Sequence, residues 1–241
     1  MKRISFKELV LFENDDFIVV NKPPFISTLE DRSNPVNLLA LGRDSFPEIQ
    51  VCHRLDKDTS GCLIFAKNPE AYRHISLQFQ EHQISKVYHA IVEGRQSFSK
   101  EEVTAPIHVK SAGGAKVDYQ RGKESLTYFT SIKKYRNYTL LECNPVTGRL
   151  HQIRVHCAYL ECPIAGDEKY GGKPFFLSDI KFEYTKSKGE EKPLIRRFAL
   201  HAYTISFIDL DGEKVTISAQ YPKDFKVLLT QLGKHNEDRR K

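Results

Sequence analysis

Residues 51–67 read VCHRLDKDTSGCLIFAK. Val51 and Cys52 lead into a polar centre, His53 to Gly61, and Cys62, Leu63, Ile64, Phe65 and Ala66 follow it. The apolar flanks predict buried strand, and the centre predicts a tight polar turn. Two cations (Arg54, Lys57) and two carboxylates (Asp56, Asp58) fall within five residues. Charges set against segments that want to be inside must be paired or used. The competing reading is a solvated strand–turn–strand carrying a surface salt bridge.

Around this stretch the totals set bounds. The chain has 241 residues, 40% hydrophobic and 28% charged, enough for one sizeable core or two small ones. Its apolar runs fall well short of the ~18 residues that a membrane span needs. The start, MKRISFKELVLF, has no continuous apolar stretch or small-residue cleavage site. A soluble, cytoplasmic protein is expected. The net charge of +6 is compatible with a polyanionic partner without demanding one. Five cysteines, an odd number spread along the chain, do not form a disulfide framework. Cys157 and Cys162 near His151 and His156 match no standard zinc spacing, so buried reduced thiols are expected and no metal.

Upstream, residues 12–21 pass from an acidic turn into a strand at Phe17-Ile18-Val19-Val20, which Lys22-Pro23-Pro24 stops. Asn34-Pro35 predicts a short helix, capped by Asn or Ser, with Pro at its first position and Gly42 closing it. Asn68-Pro69-Glu70 opens a second helix by the same logic, with Ile75 and Phe79 on its apolar face. Residues 85–94 alternate as a strand. Residues 103–120, with two glycines among basic residues, predict a loop without the spacing of a phosphate-binding P-loop. A hairpin is predicted over 125–145, with a basic turn at Lys133, Lys134, Arg136 and Asn137. Thr147-Gly148 turns the chain into a helix with Leu150, Ile153, Cys157 and Leu160 as its stripe; three and four residues separate Arg154 from His151 and Leu150. Residues 178–191 predict a charged, mobile surface loop. A hairpin turning at Asp211-Gly212, an amphipathic helix over 222–232 and a disordered charged tail over 235–241 complete the chain.

His53-Arg54-Leu55-Asp56-x-x-Thr59-Ser60-Gly61 resembles the signature of the RluA-type RNA pseudouridine synthases. So do Lys86-x-Tyr88-x-Ala90-x-Val92-x-Gly94, Gly148-Arg149-x-His151-Gln152-Ile153-Arg154-x-His156, Pro163-Ile164-x-Gly166-Asp167-x-x-Tyr170-Gly171 and Arg196-x-x-x-Leu200-His201-Ala202. They fall in one order between about residues 12 and 230. Lys22-Pro23 looks like the family's first motif, although Pro24 and Phe25 stand where members carry a small residue and Gly. The resemblance implies an α/β fold of the α+β type: a mixed, mostly antiparallel sheet with surrounding helices and a central catalytic cleft. Residues 1–234 are expected to form one catalytic domain, without the S4 domain of many relatives, in a chain that acts as a monomer.

The family isomerises uridine in structured RNA, ribosomal or transfer, without redox cofactor, metal or ATP. The resemblance makes Asp56 the catalytic carboxylate, gives it Arg154 as partner, and sets Tyr88 against the uracil. Burial alone would raise a carboxylate's pKa, so a nearby cation is required. The resemblance also implies that Arg54 meets the RNA where the base has left; the competing reading pairs it with Asp58. Lys22, Arg149 and His151 are further candidate RNA contacts, with an edge-of-sheet lysine as the alternative for Lys22. His53, Thr59 and Ser60 are expected to shape the turn. Two other functions compete: a non-catalytic RNA-binding or ribosome-assembly protein on the same scaffold, and a hydrolase of N-glycosidic bonds. A hydrolase would release free uracil, and a pure binder has no need of Asp56, Tyr88 and Arg154 together.

Overall fold

A computed structural model describes residues 5–30, 36–111, 113–185 and 190–237. They form two compact units, Met1–Val87 with His201–Tyr221, and Tyr88–Leu200 with Pro222–Lys241.

The first unit is built on β4 (Ser60–Ala66), buried at every position, which suits a strand covered on both faces. β2 (Phe17–Lys22) pairs with it antiparallel, from Phe17 opposite Ala66 to Lys22 opposite Gly61. β1 (Val10–Glu13) pairs with the outer side of β2. The other edge of β4 is divided. β3 (Gln50–Val51) runs antiparallel beside Phe65 and Ala66, and β11 (Leu200–Ile208) runs parallel beside Ser60 and Gly61. β12 (Lys214–Ser218) forms an antiparallel hairpin with β11. At Gly61 (φ +114°) any side chain would begin 2.1 Å from the Ala202 carbonyl oxygen, so the parallel approach requires glycine there. The helix α2 (Pro69–Gln80) starts as predicted: the Asn68 side chain accepts from the Ala71 N–H at 2.8 Å, and proline takes the first turn. Its Ala71 and Ile75 pack with Phe17, Val19, Ile64 and Phe207 in the core.

The second unit carries β5 (Ser85–Glu93) from Tyr88 onward, then in spatial order β10 (Tyr138–Pro145), β9 (Thr127–Lys134) and β6 (Glu101–Val103), all antiparallel. The helix α3 (Gln152–Tyr159) packs on β9 and β10. The last helix, α4 (Lys223–His235), is tied to the start of β11 by Arg197, whose Nε lies 2.8 Å from Asp224 Oδ2 and whose Nη1 donates to the Leu200 carbonyl at 3.0 Å. The mostly antiparallel α+β architecture agrees with the sequence. Among the described residues no helix is long and apolar enough to cross a membrane.

Three local expectations are corrected. The predicted helix start at Asn34-Pro35 lies outside the described residues. The helix α1 (Leu38–Arg43) is capped by Asn37, which accepts from the Ala40 N–H at 2.9 Å, and Gly42 lies inside it under the Phe6 ring. The segment 103–120 is no plain loop: β7 (Ile107–Val109) and β8 (Ala115–Val117) form a hairpin, turned by Gly113 and Gly114 at positive φ, with Ala112 outside the described residues. The C-terminal helix runs to His235, and the next residues dock. Asn236 is buried; its side chain accepts from the Asn137 N–H at 2.9 Å and its carbonyl from the Arg136 N–H at 2.8 Å. The expected tail therefore reduces to residues 238–241, outside the described ones. In the 178–191 segment the Glu191 side chain accepts from the Ser178 N–H at 2.9 Å, and residues 186–189 lie outside the description.

Candidate active site

Asp56 sits, half-buried, in a loop that leaves β3 and enters β4. Leu55 before it is buried, and Arg54 and Lys57 are exposed. The loop is held on both sides of the carboxylate. The Thr28 hydroxyl donates to the Leu55 carbonyl at 3.0 Å and accepts from the Leu55 N–H at 3.2 Å. Lys22 Nζ donates to the Lys57 carbonyl at 3.0 Å. The Thr59 N–H returns to the Asp56 carbonyl at 3.0 Å, closing the turn. Beyond it, Ser60 Oγ lies 2.9 Å from His201 Nδ1, and His201 Nε2 lies 3.1 Å from the Ala219 carbonyl. A carbonyl only accepts, so in the neutral ring Nε2 carries the proton and the Ser60 hydroxyl donates to Nδ1.

Lys22, expected either at the RNA or at a sheet edge, is fully buried on a strand paired on both sides. Its ammonium also donates to the Pro23 and Ile26 carbonyls, at 3.0 and 2.8 Å. A cation with no water access must be solvated by the protein, and here the backbone does so. His53 shapes the turn as expected: its Nε2 accepts from the Ile64 N–H at 3.2 Å, and its ring packs 5.1 Å from Phe79. Burial, then the Lys86 charge, push the His53 pKa down to about 3, so the ring is neutral. Desolvation likewise lowers Lys86 to about 8, its ammonium lying 5.9 Å from the Phe79 ring centre.

The second unit carries Tyr88, Arg149, His151 and Arg154. Tyr88, opposite Cys143 on β10, is half-buried. Arg154 is buried in α3 and gripped by Asp167: Nε to Oδ2 and Nη2 to Oδ1, each at 2.7 Å. This two-point fork fixes the guanidinium plane. The aromatic rings of Phe198 and Tyr170 lie 4.0 and 4.9 Å from its central carbon and add cation–π attraction. Asp167 belongs to the Pro163–Gly171 pattern, but spacing did not reveal that it meets Arg154 thirteen residues away.

The helix entry is held by Gln152. Its Oε1 accepts from the Thr147 hydroxyl (2.8 Å) and the Arg149 N–H (2.9 Å), and its Nε2 donates to the Leu126 carbonyl and Thr127 Oγ1, both at 2.9 Å. His151, at φ +55°, is thereby presented outside the first turn, with Nδ1 2.6 Å from the Tyr170 hydroxyl. Arg149 Nε donates to the Glu124 carbonyl at 2.9 Å. His156 is committed on both nitrogens, to Thr127 Oγ1 and to the Ala105 carbonyl at 2.9 Å each. All five cysteines are free, and burial raises Cys52 and Cys62 to about 12. Among the described residues no group of three or more His, Cys, Asp or Glu is placed to hold a metal.

A family model described as RNA pseudouridylate synthase matches residues 16–159. The chain is 33% identical over 235 residues to ribosomal large subunit pseudouridine synthase C of Vibrio cholerae, covering 96% of this chain and 71% of that one. It is 35% identical over 238 residues to the Buchnera aphidicola protein of the same name, covering 95% and 72%. Its fold is similar to human RNA pseudouridylate synthase domain containing 1, with a TM-score of 0.70 and 27% identity over 92% of this chain and 87% of that one. Human RNA pseudouridylate synthase domain containing 4 shares the fold at a TM-score of 0.73 and 21% identity, over 95% of each chain. On the family match and these relatives, the chain belongs to the RNA pseudouridylate synthase family and is an isomerase.

Proposed function

We propose that the chain converts uridine to pseudouridine in structured RNA, with Asp56 as the reacting carboxylate. The observation that carries this reading is the fixing of Asp56: side chains from β2 and the segment after it hold both of its neighbours. Such preorganisation suits a group that must meet one atom in one orientation. In the reaction the bond from C1′ to uracil N1 breaks, the base turns, a bond from C1′ to C5 forms, the C5 proton leaves, and N1 takes up a proton. Asp56 either attacks C1′ or assists loss of the base with removal of the C2′ proton. The target base must leave its stack.

Tyr88 is proposed to stack on the uracil and to relay the C5 proton. Arg154 is proposed as a further catalytic residue, as the family resemblance implies, and the Asp167 fork holds its guanidinium in orientation. Arg54, Arg149 and His151 are proposed as RNA contacts, and Lys22 as the residue that positions the Asp56 loop. Residues 1–234 act as one catalytic domain, in the cytoplasm, as a monomer, without metal or redox cofactor. The relatives' names make large-subunit ribosomal RNA the first target to test, and transfer RNA the second.

Pseudouridine mapping in a strain lacking the gene tests this. One or more sites in either RNA should vanish and return with the wild-type gene but not with Asp56→Asn. Restoration by Asp56→Asn would refute the assignment and favour a binding role.

A further inference from the structure

Phe25 has the wrong conformation for its residue type and the wrong environment for its side chain. Its φ is +69°, in the left-handed region that a bulky L-residue seldom occupies. It is 50% exposed, whereas Phe6, Phe17, Phe65 and Phe207 of the same unit are buried. It makes no ring contact among the described residues that would offset the strain.

The strain is held in place. Pro23 and Pro24 fix the backbone just before Phe25. The Lys22 ammonium binds the carbonyls of Pro23 and Ile26, one on each side of it, and Ile26 is buried. The turn is therefore clamped at both ends and displays one aromatic ring to solvent. Strain kept in this way is a mark of function.

The position of the ring adds to this. Phe25 lies between Lys22 and Thr28 in sequence, and those two side chains hold Lys57 and Leu55, the residues that flank Asp56. The strained aromatic and the reacting carboxylate thus stand on two segments laced together on both sides. Exposed Arg54 and Lys57 on the carboxylate's segment favour a polyanion there. An aromatic face beside cations is the chemistry that binds an unpaired nucleotide: the base stacks on the ring and the phosphate meets the charge.

We propose that Phe25 is a stacking platform for an unpaired nucleotide neighbouring the target uridine, and so a substrate-binding residue of the reaction. This rests on the reaction proposed above. Phe25→Gly, Phe25→Leu and Phe25→Trp test it, each measured for melting temperature, for the Kd of a uridine-bearing RNA hairpin, and for kcat/KM by tritium release from [5-³H]uridine RNA. Glycine relieves the strain, so Phe25→Gly should melt no lower than wild type. Its kcat/KM should fall about tenfold, through KM, with a matching rise in Kd. Phe25→Leu should share the loss, and Phe25→Trp should stay within about twofold of wild type, because a planar face is what counts.

Wild-type Kd and KM in Phe25→Gly or Phe25→Leu would overturn the proposal. So would a Phe25→Gly protein that melts several degrees lower, since the ring would then be a structural contact. If the wild type releases no tritium from any RNA, the reaction is refuted, and the Kd series still decides Phe25.

Discussion

Replacing Lys22 with Met tests how the fold positions Asp56. The change keeps the length of the buried stem and removes the ammonium that donates to the Pro23, Ile26 and Lys57 carbonyls. A buried acceptor left without its donor costs about 1–3 kcal/mol. The bond to Ile26 is buried and those to Pro23 and Lys57 are part-buried, so the Ile26 carbonyl bears the full penalty and water relieves the other two in part. The unsatisfied carbonyls cost roughly 3–5 kcal/mol together, a large share of the ~5–15 kcal/mol that holds a typical domain together. Urea unfolding of Lys22→Met against wild type reads it directly. The loosened loop should also cost activity in molecules that remain folded, because a misplacement of about 1 Å at a reacting group is worth about 10²-fold in rate. Removing a desolvated cation can itself stabilise a protein. A variant as stable as wild type, with unchanged kcat, would show that the ammonium neither holds nor aligns the Asp56 loop.

Asp167→Asn replaces the carboxylate side of the buried Arg154 fork with a neutral amide; unfolding should show a loss of about 3 kcal/mol, and unchanged stability would remove Asp167 as the anchor. Acid stability should follow two desolvated histidines. His53 and His89 are held neutral when folded, with pKa values of about 3 and 4, against 6.5 when exposed. The unfolded chain therefore binds their protons first, so their stabilisation is full above about pH 6.5 and lost as pH falls toward 4, by about 1 kcal/mol per pH unit for each ring. Melting curves across that range should show His53→Gln with a shallower acid slope than wild type, and equal slopes would refute the neutral, buried ring.

Where the chain announces itself locally, sequence and structure agree. Asn68-Pro69 opens α2, Asp211-Gly212 turns β11 into β12, and the uniformly apolar 62–66 run is the strand covered on both faces. The motif glycine Gly61 was legible as a turn signal, but its reason, the Ala202 carbonyl beside it, is a contact from 141 residues away. The hairpin at 107–117 escaped because three-residue strands carry too little alternation to register. The docked end of the chain escaped because Asn236 is polar: its burial depends on bonds to Arg136 and Asn137 that no periodicity encodes. At the candidate site, the residue types were visible and their supports were not. Thr28, Gln152 and His201 act through hydrogen bonds spanning between 3 and 141 residues, and Lys22 through carbonyls that only the folded turn brings together. The departure at Pro24-Phe25 was visible as an oddity, and the positive φ gives it physical content.

Tritium release decides whether Asp56 performs the chemistry. Wild type and Asp56→Asn would be incubated with [5-³H]uridine-labelled large-subunit ribosomal RNA fragments and, separately, with tRNA transcripts. The wild type should release tritium and Asp56→Asn none, while the variant still binds the same RNA and melts near the wild-type temperature. Release by Asp56→Asn at a rate near that of the wild type would contradict that role.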